Sequence, residues 1–191
     1  MAQQIPTDSF NEFSTNNDAV LNDRAHSGEE KTKEISMSDK YLTFRLGGEH
    51  YGFCISKVQE IIKMQRITKV PRTASHVRGV INLRGKVIPV VDVALKLNIR
   101  ADAYTSDTCI VIVQAESTNL NIVIGIIVDS VSEVQNISVN QIDPPPALCT
   151  SDSVEGELSN FISGIARVGD TVISLLDINS ALKSDIEQAT E

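Results

Sequence analysis

Tyr51-Gly52-Phe53-Cys54-Ile55-Ser56-Lys57-Val58-Gln59-Glu60-Ile61 returns later in the chain as Ile124-Gly125-Ile126-Ile127-Val128-Asp129-Ser130-Val131-Ser132-Glu133-Val134. A shift of 73, which carries Gly52 onto Gly125, brings the glycine, the apolar positions and the glutamate into register. A second block follows in the same order. Gly79-Val80-Ile81 matches Gly164-Ile165-Ala166, and Val87-Ile88-Pro89-Val90-Val91-Asp92-Val93 matches Val172-Ile173-Ser174-Leu175-Leu176-Asp177-Ile178. Here the shift is 85, so the second copy holds extra residues between its blocks, near Asp143-Pro144-Pro145-Pro146 and Ser151-Asp152-Ser153, which read as a loop. Two ordered blocks, each with glycine and an acidic residue in register, are the mark of an internal repeat.

Each copy reads as short strands. Tyr41–Leu46 runs into the hairpin turn Gly47-Gly48-Glu49-His50, after which Tyr51, Phe53 and Ile55 alternate with smaller or polar neighbours. At Ser56 and Asp129 the apolar spacing becomes three, which predicts a capped helical turn joining two strands in both copies. Val70–Val77 predicts a short helix capped at Thr73, with His76 on its surface. Val80–Leu83 and Val87–Val91 flank the turn Arg84-Gly85-Lys86, and Pro89, lacking an N–H, is expected at an edge or beside a bulge. Asp92 and Asp177 are expected to cap short helices over Val93–Leu97 and Ile178–Leu182. Many short strands with glycine at the corners and little helix give a mainly β fold, two small barrels sharing a core.

Of the 191 residues 41% are hydrophobic, yet only 4% are aromatic and Trp is absent, so Val, Ile and Leu must build the core. Residues 1–40 are polar without a period and read as a flexible tail, with Phe10 and Phe13 a candidate docking segment. Residues 41–182 form the folded domain, in repeat units of about 41–97 and 109–182 whose strands can cross between barrels, and 183–191 read as a fraying polar tail. A net charge of −8 argues against nucleic acid and against an anionic membrane as partner. The start has no signal-peptide pattern, and Val123–Val128, ended by Asp129, is too short to span a membrane. Cys54, Cys109 and Cys149 are expected as buried thiols in a reducing cytoplasm.

No catalytic pattern emerges. His26, His50 and His76 accompany neither a nucleophile elbow nor a metal motif, and no phosphate-binding glycine loop is present. Val58 and Glu60 share a strand face by their spacing, while Arg84 projects from a tight turn. Two readings stay open: a local Glu60–Arg84 surface ion pair worth less than ~1 kcal/mol, or an exposed apolar patch edged by opposite charges, as partner surfaces are.

These same residues resemble the CheW family. The resemblance rests on Tyr51-Gly52, Lys57-Val58-Gln59-Glu60-Ile61, Arg78-Gly79-Val80-Ile81-Asn82-Leu83-Arg84-Gly85, Val87-Ile88-Pro89-Val90-Val91-Asp92, Val123–Val131 and Phe161-Ile162-Ser163-Gly164, spanning roughly residues 41–182. It implies two intertwined five-stranded SH3-like β-barrels with a few short helices, no enzyme activity and no cofactor. It also implies a cytoplasmic adaptor between chemoreceptor tips and the regulatory domain of the histidine kinase CheA, with contacts to other CheW copies. By resemblance Val58, Gly79 and Val131 look like receptor-groove residues and Glu60 and Arg84 like the charged pair beside them. Gly85 belongs to the same receptor- and kinase-binding set. An adaptor of a non-flagellar chemosensory pathway and a small ligand-binding barrel are the alternatives. With no receiver domain after residue 182, the simple coupling type is expected rather than the CheV type.

Overall fold

The computed structural model describes residues 40–99, 103–117, 120–145 and 161–188. The expected N-terminal tail with Phe10 and Phe13, most of the loop from Asp143 to Glu157, and Cys149 lie outside the described residues.

Five strands of the first copy are β1 (Lys40–Leu46), β2 (Glu49–Cys54), β3 (Val58–Lys63), β4 (Val77–Leu83) and β5 (Lys86–Asp92), followed by helix α1 (Val93–Lys96). The second copy supplies β6 (Cys109–Ser117), β7 (Leu120–Val128), β8 (Ser130–Asn136), β9 (Ile142–Asp143), β10 (Ile162–Val168), β11 (Thr171–Leu176) and helix α2 (Ile178–Gln188). One sheet runs β8-β1-β2-β11-β10-β9 and the other β3-β6-β7-β5-β4. Under the repeat, β6 stands for β1, β7 for β2, β8 for β3, β10 for β4 and β11 for β5, and the two orders become the same. Each sheet therefore takes two strands from one copy and three from the other, with β9 added as a fourth second-copy strand at the edge of the larger sheet.

The repeat extends to single hydrogen bonds. Gly52 lies opposite Leu175 in the parallel β2–β11 pair, and Gly125 opposite Val90 in the parallel β5–β7 pair. Asp92 N donates to His76 O and Asp177 N to Phe161 O, each at 2.8 Å. β4 bulges between Val77 and Gly79, and β10 between Ile162 and Gly164. The copies differ at β9, which gives its sheet a sixth strand where five were expected. In the other sheet the same place is held by a single bridge, Thr68 with Val80.

That bridge explains Pro89. Val80 exchanges both of its backbone hydrogen bonds with Thr68, at 2.9 Å each, so it has none left for Pro89 opposite it on β5. On the other side the parallel ladder to β7 starts only at Val90. The proline thus sits in an interior strand rather than at an edge, but next to the β4 bulge as the alternative expectation had it, at a point where no N–H is required.

Three clusters make the core. A central one draws on β1, β2, β5, β6, β7 and both helices, with Phe44, Val111, Ile126 and Leu182 among its members. Ile81, Ile88, Val90, Ile110, Ile112 and Ile127 fill one barrel, and Ile137, Ala166, Ile173 and Leu175 the other. Consecutive residues Ile110–Val113 are fully buried, alternating between the central cluster and a barrel interior. This two-sided burial is why β6 reads as an unbroken apolar run.

Local expectations fared unevenly. Gly47 and Gly48 take positive φ in the β1–β2 turn, as expected, but His50 belongs to β2, opposite Arg45. A helical turn forms at Ile55–Lys57, with Cys54 rather than Ser56 at its N-cap position and no side-chain cap. In the second copy none forms. Asp129 Oδ2 instead accepts from Gly47 N at 2.7 Å, tying the β7–β8 corner to the β1–β2 hairpin. The helix expected from Thr73 is absent: Arg72 takes φ 63, outside the helical region, and the Thr68 bridge lays the segment along β4. Thr73 Oγ1 closes a turn by donating to Val70 O at 3.1 Å. Asp92 and Asp177 do cap α1 and α2, accepting from Leu95 N (3.3 Å) and Asn179 N (3.0 Å). Asp92 also accepts from the Tyr104 hydroxyl at 3.0 Å, and Arg78 stacks over that ring. Burial first, then the Asp92 carboxylate, pushes the Tyr104 hydroxyl up to about 12.

The polar C-terminus is the largest local departure. α2 continues to Gln188, and Asp185 is buried, its carboxylate meeting Lys96 of α1 and His76 Nε2 (2.7 Å) ahead of β4. His76 is accordingly part of a buried cluster, not of a surface helix.

Candidate functional site

The β4–β5 hairpin builds most of the site. Its turn holds Arg84 at φ 52 and Gly85 at φ 83, the pair of positive values a two-residue hairpin needs to match strand twist. Asn82 Oδ1 accepts from Gly85 N at 2.9 Å and fixes the turn. Arg84, 79% exposed, reaches Glu60 Oε2 at 2.8 Å. Glu60 lies on β3 and Arg84 beside β4, which are opposite ends of the five-strand order, so the ion pair spans the two edges of a curled sheet.

Beside the pair lies a groove of ≈ 530 Å³ whose lining includes Glu60, Arg84, Val87, Pro89, Ile122 and Val123. Val87 is 72% exposed, an apolar side chain held out between charges. Its repeat partner Val172 is 57% exposed at the tip of the other barrel. Neither valine stood out in the sequence, where both read as ordinary strand residues.

Gly79 sits at the far end of the same hairpin, in the β4 bulge, at φ +134. A Cβ there would lie 2.1 Å from Thr68 O. It lines a second groove of ≈ 300 Å³ with Val70, Arg72, Val77, Ile124 and Asp185, and Pro89 lines both grooves. Val58 and Val131, equivalent under the repeat, are half-buried against the central core and line neither groove. β3 bulges between Val58 and Glu60, and burial still alternates through it. Val131 pairs with Phe44 on β1, and its backbone bonds to Cys109. Burial pushes the Cys109 thiol up, partly offset by that bond. Cys54 and Cys109 are half-buried rather than fully buried.

The structure therefore joins Glu60, Arg84 and Gly85, places Gly79 on the adjoining groove, and leaves Val58 and Val131 at the core margin. In the second copy Glu133 accepts from Gln135 Nε2 and, among the described residues, forms no ion pair. Arg167 and Asp143 pair there at 2.7 Å, at a different point of the repeat. Among the described residues no three His, Cys, Asp or Glu side chains gather in a way that would hold a metal ion, and no helix is long and apolar enough to cross a membrane.

Residues 40–185 match the family model for the CheW-like domain. The chain belongs to the CheW-like family. Chemotaxis protein CheW of Klebsiella aerogenes is 31% identical over 150 residues, covering 78% of this chain and 85% of that protein. Chemotaxis protein CheW of Bacillus subtilis is 29% identical over 158 residues, covering 83% and 96%. Among solved structures, the scaffolding protein TtCheW from Thermoanaerobacter tengcongensis is 36% identical with a TM-score of 0.65, covering 76% of this chain and 93% of that one. The two interleaved sheets are thus the two SH3-like barrels of the CheW fold, and the repeat read from the sequence is the repeat that builds them.

Proposed function

We propose that this CheW-like chain is a non-catalytic coupling scaffold that holds the cytoplasmic tips of chemoreceptors against the regulatory domain of the kinase CheA. The observation that carries this reading is an asymmetry. The copies share fold and register, yet among the described residues the first places its Glu60–Arg84 pair beside exposed Val87 and an open groove, whereas the exposed pair of the second, Arg167–Asp143, sits at a different point of the repeat. The relatives are named chemotaxis proteins and a scaffolding protein, which supports the same reading.

In this role Glu60, Arg84 and Gly85 form one contact surface, and Gly79 shapes the groove beside it. Val58 and Val131 act from the core margin. Coupling then requires no chemistry: receptor and kinase are held at fixed spacing, and a receptor change that favours one kinase state shifts the population toward it. Single contacts can be weak, because linked sites in an array raise the effective concentration of each.

Arg84→Ala tests the surface. The side chain is largely exposed, so the substitution is expected to lower stability by less than about 1 kcal/mol. It is expected to abolish receptor-stimulated kinase activity in a reconstituted receptor–kinase assay. Full activation by the variant would remove Arg84 from the contact surface. Val58→Asp is a poorer probe, because its half-burial against the core puts about 1–3 kcal/mol of stability at risk.

A further inference from the structure

Helix α2 is held in two different ways along its length. Its first half is anchored by apolar burial: Ile178, Ala181 and Leu182 are 4%, 4% and 0% exposed, and Ile178 and Leu182 belong to the central cluster. Beyond Leu182 the one buried side chain among the described residues is that of Asp185, and Lys183 is exposed. The end of the helix is therefore fastened through a single carboxylate, which meets Lys96 of α1 and His76 Nε2 (2.7 Å).

Both partners sit on fixed parts of the fold. His76 directly precedes β4, and its carbonyl accepts from Asp92 N at 2.8 Å. Lys96 belongs to α1, whose Val93 and Ala94 are buried in the central cluster. Residues 183–188 of α2 are thus the part free to move when the contact breaks. Segments fastened by few contacts open locally at a lower free energy than the core to which they attach.

The same carboxylate helps to wall the groove of ≈ 300 Å³ beside Gly79. Gly79, Val80, Pro89, Val91 and Ile124 supply strand walls, whereas Asp185 is, among the described residues, the contribution from a helix. An occupant packed against that wall binds the closed form of the groove and has less to bind when the helix end is open. Binding then favours closure, and by linkage closure favours binding to the same degree.

We infer that residues 183–188 are a movable wall of the Gly79 groove, latched by Asp185 against His76 and Lys96, and that filling the groove closes the latch. This rests on the coupling role proposed above, with the receptor as the groove's occupant. Asp185 is a positioning residue in this account: it acts by holding the wall rather than by touching the partner.

Amide hydrogen exchange of the full chain, followed by mass spectrometry of overlapping peptides, tests the latch. It is measured alone, with a purified chemoreceptor cytoplasmic fragment and with the kinase regulatory domain. In the free chain residues 183–188 are expected to exchange at least about tenfold faster than Ala181 and Leu182. Receptor fragment at about ten times its dissociation constant is expected to slow them about tenfold, the factor for a ligand that binds only the closed form. The kinase domain should leave them unchanged. Asp185→Ala is expected to remove the protection and to weaken receptor binding about fivefold, by lowering the closed population. Lys96→Met with Asp185→Leu closes the wall by apolar packing instead, and is expected to restore both protection and binding to within about twofold of wild type. A direct contact between the Asp185 carboxylate and the receptor would not be rescued in this way. Should Asp185→Ala fail to fold, wild type and the double variant decide by themselves. No slowing by the receptor fragment, slowing by the kinase domain instead, or a double variant that stays weak would each overturn the latch and leave the coupling role in place. A wild-type chain that binds neither protein would overturn both.

Discussion

Gly79→Ala is expected to destabilise the protein by about 4 kcal/mol, among the largest costs a single methyl group can impose. Two effects add. The backbone at φ +134 occupies a region that residues with a Cβ rarely enter, which alone costs about 1–3 kcal/mol. The new methyl would also lie 2.1 Å from Thr68 O, and backbone cannot yield as a side-chain tip can. Relief would require breaking the Thr68–Val80 bridge that holds the segment along β4. Gly85→Ala provides the contrast: its φ is also positive at +83, but nothing lies within 4 Å, so about 1 kcal/mol is expected. Urea unfolding of the two variants measures the difference, and equal costs would show that the close approach at Gly79 does not hold in solution. The same reasoning changes what Gly79 means for function. Its glycine is required by the fold, so loss of coupling in a Gly79 variant reports damage to the groove rather than a lost contact.

Asp185→Ala is expected to cost about 3 kcal/mol, because it withdraws the carboxylate from Lys96 and His76 inside the protein. Lys96 and Asp185 side chains are 7% and 6% exposed, so water cannot replace the lost partner as it does at the surface. Replacing both, Lys96→Met with Asp185→Leu, should cost much less than the single change, since a buried ion pair is often matched by apolar packing of similar volume. Urea unfolding again decides. An Asp185→Ala variant within about 0.5 kcal/mol of wild type would show that α2 is not pinned by this cluster.

What the sequence revealed and concealed divides along the range of the interaction. The repeat is a local pattern copied twice, and matching strings recover it: Gly52 with Gly125 and Gly79 with Gly164 hold equivalent places in the two sheets, although the bulges at the second pair emerge only from the strand pairing. Caps at Asp92 and Asp177 are equally local. The Glu60–Arg84 contact was legible because only 24 residues separate its partners. By contrast Asp185 meets partners 89 and 109 residues away, and nothing in the polar string after Leu182 distinguishes a buried carboxylate from a solvated one. Asp129 was misread for a similar reason, since its hydrogen-bond partner Gly47 lies 82 residues earlier. The helix expected at Thr73 failed because tertiary pairing of Thr68 with Val80 outweighed the local capping signal. Val58 and Val131 were placed by likeness alone, and spacing could not show that they face the core.

The most direct measurement is kinase autophosphorylation with purified components: CheA, a chemoreceptor cytoplasmic assembly and this chain, combined singly, in pairs and all together. A coupling scaffold predicts strong stimulation only when all three are present, with both partners retained in one complex with the chain. Stimulation of the kinase by receptors to the same extent without the chain, or failure of the chain to bind either partner, would contradict it.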